Sequence, residues 1–291
     1  IKGVRISNPD GPCVVIKGAQ HVRLVGVALG PCKDDVVSVA QSSDVRIEDS
    51  YLHDGGGVGV GSYEVAGLTV RGTFIARVRG GVYAHQSQQV RVDHSRFLVM
   101  NGGEARGQYV QFNHVTGADS VVRCNVGQNV LGQGNPEDNI NLFDSQGTPD
   151  SPIVVEYNRI LGGGPSPSGG GILLGDGGGA YQVARGNLLA DPGQYGVAVA
   201  GGHHLTIADN RIFAQAQPFT NVGIYAWNQY EKVGVCTDVT ITGNAVNYAS
   251  KNGTPNPYWD GGNCSPLDEH DNDFKATLGP EVVEAPLPAC D

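Results

Sequence analysis

Basic residues are scarce in this 291-residue sequence: 19 Lys and Arg stand against 29 Asp and Glu, a net charge of −10. No basic stripe or basic tail exists, which argues against a nucleic-acid partner. The same shortage disfavours a polyanionic substrate unless a bound cation or a local Arg cluster offsets the repulsion. No apolar run approaches the roughly 20 residues of a membrane helix, so no membrane span is expected. The six cysteines, Cys13, Cys32, Cys124, Cys236, Cys264 and Cys290, contain no CxxC, which speaks against a zinc site. The chain opens at Ile1 with no Met, no signal peptide and no capping helix, so a processed or truncated product is expected.

What is present is repetition. GILLGD at 171–176 has counterparts in VGVGS from Val58, GVYAHQ from Gly81, NINLFD from Asn139, GVAVAG from Gly196 and GIYAWN from Gly223. In each, two apolar residues alternate with a variable one, the signature of a strand with one buried face. A second register runs beside it: VRIEDSYL from Val45, LTVRGTFI from Leu68, VRVDHSRF from Val90, IVVEYNRI from Ile153, LTIADNRI from Leu205 and VTITGNAV from Val239. With HVRL, its first starts fall about 22–23 residues apart. A fixed period of this length built from strand units implies a solenoid, and the 44 glycines do not disturb it.

Two strand motifs per turn with an Asn-rich bend resemble the right-handed parallel β-helix of pectate lyases, chondroitinase B, alginate lyases and epimerases, and polygalacturonases. The expected fold is therefore all-β: a right-handed parallel β-helix of about nine to ten turns over residues 1–247, with 248–291 as a capping tail over its C-terminal end. Asn158, Asn187, Asn210 and Asn244 are expected to form a ladder, with Ser50, Thr73 and Ser95 as weaker members. Asn in the bend tolerates a left-handed backbone and bonds to the Asn of the next rung. Glu48, Arg71, Asp93 and Glu156 fall at equivalent places and are expected to stack. In 100–138 two registers compete. Either YVQFNH is a first strand and SVVRCN a second, or YVQFNHV is a second strand and SVVRCN opens the next turn; the latter keeps turns near 21 residues and is preferred. Cys13–Cys32 and Cys236–Cys264 are placed to pair, which favours an oxidising setting, secreted or periplasmic.

Several residues are candidates for chemistry. Aligning NINLFDS with GILLGDG sets Asp144 and Asp176 in one outward column on adjacent turns, about 4.8 Å apart in backbone. Carboxylates so close share a proton, bind a cation or work as an acid and base. Asn139 and Asn141, outward on the same strand, are candidate ligands for sugar hydroxyls or calcium. NGGEARG at 101–107 resembles the Asn-Gly-Gly-Glu segment of chondroitinase B and related alginate lyases. The resemblance implies a calcium site, for which Glu104 joins Asp144 and Asp176. SVVRCN follows in place of that family's paired Glu and Lys. In an elimination beside a uronate, Arg106 or Arg123 would neutralise the carboxylate and His114 would take the proton. His85 lies along the same face. Tyr83, Tyr225 and Trp227 offer aromatic platforms for sugar rings. The Gly-His-Gly and Arg-x-Lys of polygalacturonases and the pectin esterase pattern are missing.

These readings point to a polysaccharide partner, a monomer or homotrimer, and cleavage of a uronate-containing glycan by elimination, or its C5 epimerisation. The alternatives are a glycoside hydrolase using Asp144 and Asp176, and a non-catalytic glycan-binding surface module.

Overall fold

The computed structural model describes residues 1–103, 107–231 and 234–290. Successive turns of the chain stack into three columns of parallel strands. The first column runs from Val14–Lys17 through Val82–His85, Val110–Asn113 and Ile140–Gln146 to Tyr258–Asp260. The second runs from Gln20–Val25 through Gln88–Asp93 and Val121–Arg123 to Leu267–His270. The long strand Ile172–Arg185 spans both. The third column is a separate ten-stranded sheet of short strands from Arg5–Asn8 to Ala245–Tyr248. The sequence reading identified the first two columns; the third follows the bend as strands of three to five residues, such as those carrying Ile160 and Ile212, too short to show a clear alternation.

Period-2 patterning explains the interior. Val45, Ile47, Leu68, Val70, Val90 and Val92 stack through successive turns with no exposed surface. Each buried aliphatic contributes about 1.5–3 kcal/mol relative to exposure.

The Asn ladder is longer than expected. Asn125, Asn158, Asn187, Asn210, Asn244 and Asn272 form an unbroken series. Each donates Nδ2 and its backbone N–H to Oδ1 of the next, at 2.8–3.1 Å. Ser95 N–H continues it downward onto Asn125. The left-handed residue is not the Asn but its predecessor: Cys124, Tyr157, Asp209 and Asp271 have φ of 53° to 56°. The Asn side chains instead satisfy backbone groups that the bend would leave unpaired in the interior.

In 100–138 the preferred register is overturned. Val110–Asn113 pairs with Val82–His85, and Val121–Arg123 pairs with Gln88–Asp93. SVVRCN is thus a second strand, because a long connection rather than an extra turn absorbs the added residues. The repeat also continues past residue 247: Tyr258–Asp260 pairs with Val222–Ala226, and Leu267–His270 with Cys236–Thr242. Past His270 the chain sets Phe274 against the core, stacked on Tyr258 at 5.0 Å. It turns back along the third column, where two short 3-10 helices, Pro280–Glu284 and Pro288–Cys290, pack near Arg159. Besides Cys13–Cys32 and Cys236–Cys264, a third disulfide, Cys124–Cys290, ties this strap down.

Candidate functional site

The first column carries a groove at its sixth and seventh turns, because the connections before them are long. Residues 129–139 and 162–171 wall one side, and 227–230 reach over the other. A pocket of about 540 Å³ lies there, lined by Arg79, Gln111, Glu137, Asp138, Asn141, Asp176, Tyr225 and Tyr230 among others. Another hollow of about 570 Å³ sits at Asp54 and Arg77, but those charges are spent on each other at 2.6 and 2.8 Å.

At the pocket's centre are two carboxylates joined by one amide. Asn141 Nδ2 donates to Asp138 Oδ2 and to Asp176 Oδ2, each at 2.8 Å. The two oxygens are therefore no farther apart than twice that distance. Asp138 is buried; its other oxygen accepts from Tyr195 OH and from the Gly170 N–H at 3.1 Å. Burial pushes its carboxyl up to about 7, with Asp176 adding repulsion against the hydrogen bonds that favour the anion. Asp176 is half-buried, and its second oxygen accepts from Tyr230 OH at 2.5 Å. Burial also holds the Tyr195 and Tyr230 hydroxyls in their protonated forms well above the ordinary range. Glu137 accepts from Ser166 and Ser168 at 2.8 and 2.6 Å at the rim.

A bulge sets this geometry. Gly175 has φ 64°, and a Cβ there would lie 1.9 Å from the Gly201 carbonyl. The extra residue shifts the register so that Asp176 lies opposite Phe143. The expected Asp144–Asp176 pair is therefore not formed. Asp144 is exposed at a left-handed corner (φ 41°), where its carboxylate meets His114 Nε2 at 3.0 Å. The other ring nitrogen of His114 faces Asn113 Oδ1 at 2.5 Å, so both its nitrogens have partners, and His114 is not among the residues lining the pocket. His85 Nδ1 approaches the same Asn113 oxygen at 3.2 Å.

Other expected residues lie elsewhere. Arg123 is in the second column, 3.9 Å from Asp93, as one step of an alternating series Glu48, Arg71, Asp93, Arg123, Glu156, Arg185. It cannot neutralise a substrate in the groove. Asn139 is wholly buried, donating to the Gly170 and Pro192 carbonyls and accepting from Asn129, so it fixes a corner rather than a ligand. Tyr83 and Tyr225 are buried to 8% and 7% exposure, which leaves little ring face for a sugar; Trp227 is 40% exposed. Glu104 and Arg106 lie outside the described residues.

Of the expected calcium ligands, Asp144 and Asp176 do not pair with each other, Glu104 lies outside the described residues, and Asn141 Nδ2 stands between Asp138 and Asp176. Among the described residues, no group of three or more His, Cys, Asp or Glu is arranged to hold a metal ion.

Sequence reasoning missed Asp138, Tyr195 and Tyr230. Asp138 stands just before its strand, where alternation does not apply. Tyr195 and Tyr230 come from later turns, 57 and 54 residues away from their partners.

Residues 1–142 match a family described as "Right handed beta helix region". The chain is a right-handed parallel β-helix. Among solved structures, this β-helix is similar to an alginate lyase from Paenibacillus sp. str. FPU-7, with a TM-score of 0.55 and 15% identity, over 93% of this chain and 99% of the other. It is also similar to the catalytic domain of a GH87 α-1,3-glucanase solved with tetrasaccharides: TM-score 0.50, 10% identity, 93% of this chain and 63% of the other. The tailspike protein of E. coli bacteriophage HK620, in complex with a pentasaccharide, gives 0.49 at 10% identity over 92% of this chain and 58% of the other. The β-helix thus spans less than two thirds of the tailspike and glucanase chains. No curated protein matches the sequence.

Proposed function

We propose that this β-helix is a carbohydrate-active enzyme that hydrolyses glycosidic bonds in a neutral polysaccharide. The observation that carries the reading is the Asp138–Asn141–Asp176 bridge on the groove floor. Glycoside hydrolysis needs one carboxyl that keeps its proton near neutrality and a second that works as its anion. Asp138, pushed up to about 7 by burial, holds the proton to be given to the departing oxygen. Asp176, oriented by Asn141 and Tyr230, supplies the negative charge beside the sugar, as nucleophile or as base toward water.

Charge favours this over elimination at a uronate. Among the described residues lining the pocket, the carboxylates of Glu137 and Asp176 face one cation, Arg79, and Asp138 adds a further negative charge once it loses its proton near 7. Such a lining repels a polyuronate and accepts a neutral chain. The alginate lyase and the α-1,3-glucanase to which the fold is similar are both named for glycan cleavage, which supports the carbohydrate-active class. The three disulfides support an exported protein.

The test is product analysis on a panel of neutral and uronate-containing polysaccharides. New reducing ends without the ultraviolet absorbance of an unsaturated sugar are expected on a neutral glycan, and their loss in Asp138→Asn and in Asp176→Asn. Unsaturated products, or full turnover by both variants, would refute the hydrolytic reading.

A further inference from the structure

Two exposed indoles lie on the groove's own face, beyond its closed centre. Trp227 and Trp259 are 40% and 45% exposed, although large aromatic surface is costly to leave in water. Their ring centroids are 5.9 Å apart with planes inclined at 60°, forming an open angle. Trp259 lies in register with Tyr225, which lines the acid pocket, and their rings are 6.3 Å apart. The aromatic surface is thus continuous with the groove.

The pair is also held in place. A Cβ on Gly261 would meet Trp227 Cδ1 at 2.7 Å and its Cβ at 2.9 Å. The indole therefore lies against bare backbone, a packing that only glycine permits. The turn carrying Gly261 is fixed by its N–H bond to the Ala226 carbonyl at 2.9 Å and by Gly262 N–H to Asp260 Oδ1 at 2.7 Å.

We infer that Trp227 and Trp259 form a distal glycan-binding subsite that grips the same chain two to three turns from Asp176. At the ordinary spacing of parallel strands this is of the order of 10–15 Å, a span of a few sugar units. Pyranose rings offer apolar C–H faces that stack on indole, and two inclined indoles follow a chain that twists between successive sugars. The subsite makes the enzyme favour long chains and sets which side of the cleaved bond is held. It rests on the glycan reading above, but not on the hydrolytic step.

The experiment is native affinity electrophoresis of the full chain through gels containing soluble dextran, galactomannan, xylan or mixed-linkage β-glucan. Wild type, Trp227→Ala, Trp259→Ala, the double variant, Trp259→Phe, Asp138→Asn and Asp176→Asn are run together. Wild type is expected to be retarded by at least one of these polymers, and the double variant to bind it roughly tenfold more weakly. Trp259→Phe is expected to keep most of the retardation. Unfolding temperatures matching wild type confirm that the indole variants are folded. Equal retardation of wild type and double variant, or no retardation of wild type by any polymer, overturns the subsite. If Asp138→Asn and Asp176→Asn retain both retardation and turnover while the double variant loses retardation, the subsite stands and the hydrolytic reading falls.

Discussion

Replacing Asp138 by Asn should make the protein more resistant to unfolding at alkaline pH and little changed in acid. In the folded chain the Asp138 carboxyl keeps its proton up to about 7, against 3.8 for the ordinary group. Between those values the folded state binds more protons than the unfolded one, so stability falls as pH rises through that window. Below it both states are protonated and Asp138 adds no pH dependence; above it the full cost of a buried anion is present. That cost is of the order of 4 kcal/mol. With an unfolding entropy near 0.6 kcal/mol/K for a chain of this length, it corresponds to about 7 °C in melting temperature. The assay is differential scanning calorimetry of wild type and Asp138→Asn from pH 4 to 9. The difference between the two melting curves should open upward through pH 4–7 and level off above. Titrating groups remote from Asp138 act on both proteins and cancel. A difference that stays flat across this range would sink the claim that Asp138 is a buried, proton-holding acid. In activity, the same group predicts turnover that declines as pH rises through about 7, and a loss of about 100-fold or more in the variant.

Three further outcomes follow from the packing. Asn187→Ala removes a donor to the Val155 carbonyl and the acceptor of two bonds from Asn158, so it should cost about 2–4 kcal/mol in chemical denaturation. Gly175→Ala places a Cβ against the Gly201 carbonyl at a left-handed position. It should abolish turnover before it abolishes folding, read by circular dichroism beside product formation; a fully active variant would mean the bulge does not aim Asp176. Cys290→Ser opens a cross-link spanning 166 residues, with a chain-entropy effect of at most about 5 kcal/mol, and should expose residues 274–290 to limited proteolysis.

The coil was legible because its rule is local and repeated: two aliphatics alternating in each strand, then a polar bend. Asn158, Asn187, Asn210 and Asn244 could be aligned by eye because every turn poses the same unpaired backbone groups. The third column was hidden, since pieces such as Arg159–Leu161 and Leu188–Ala190 are three residues long and offer no period. The site was read less well, because its placement depends on departures from the rule. A single inserted glycine at 175 moved Asp176 away from Asp144. The partner it acquired, Asp138, belongs to a connection, where no periodicity assigns a direction. Arg123 was misassigned for the same reason as the register of 100–138: a half-turn error carries a side chain from the groove to a neighbouring face.

The alternating series from Glu48 to Arg185 has a consequence for how such a coil can gain or lose length. Each step pairs opposite signs, as at Arg71 and Asp93 or Glu156 and Arg185. Excising the single turn that carries Asp93 would bring Arg71 against Arg123, like charge on like at strand spacing. Excising the turns of both Asp93 and Arg123 would instead set Arg71 beside Glu156. In this stretch the coil has parity: removing two turns keeps opposite signs stacked, whereas removing one sets two guanidinium groups at strand spacing, a difference of about 1 kcal/mol or less set against the interior each lost turn takes with it.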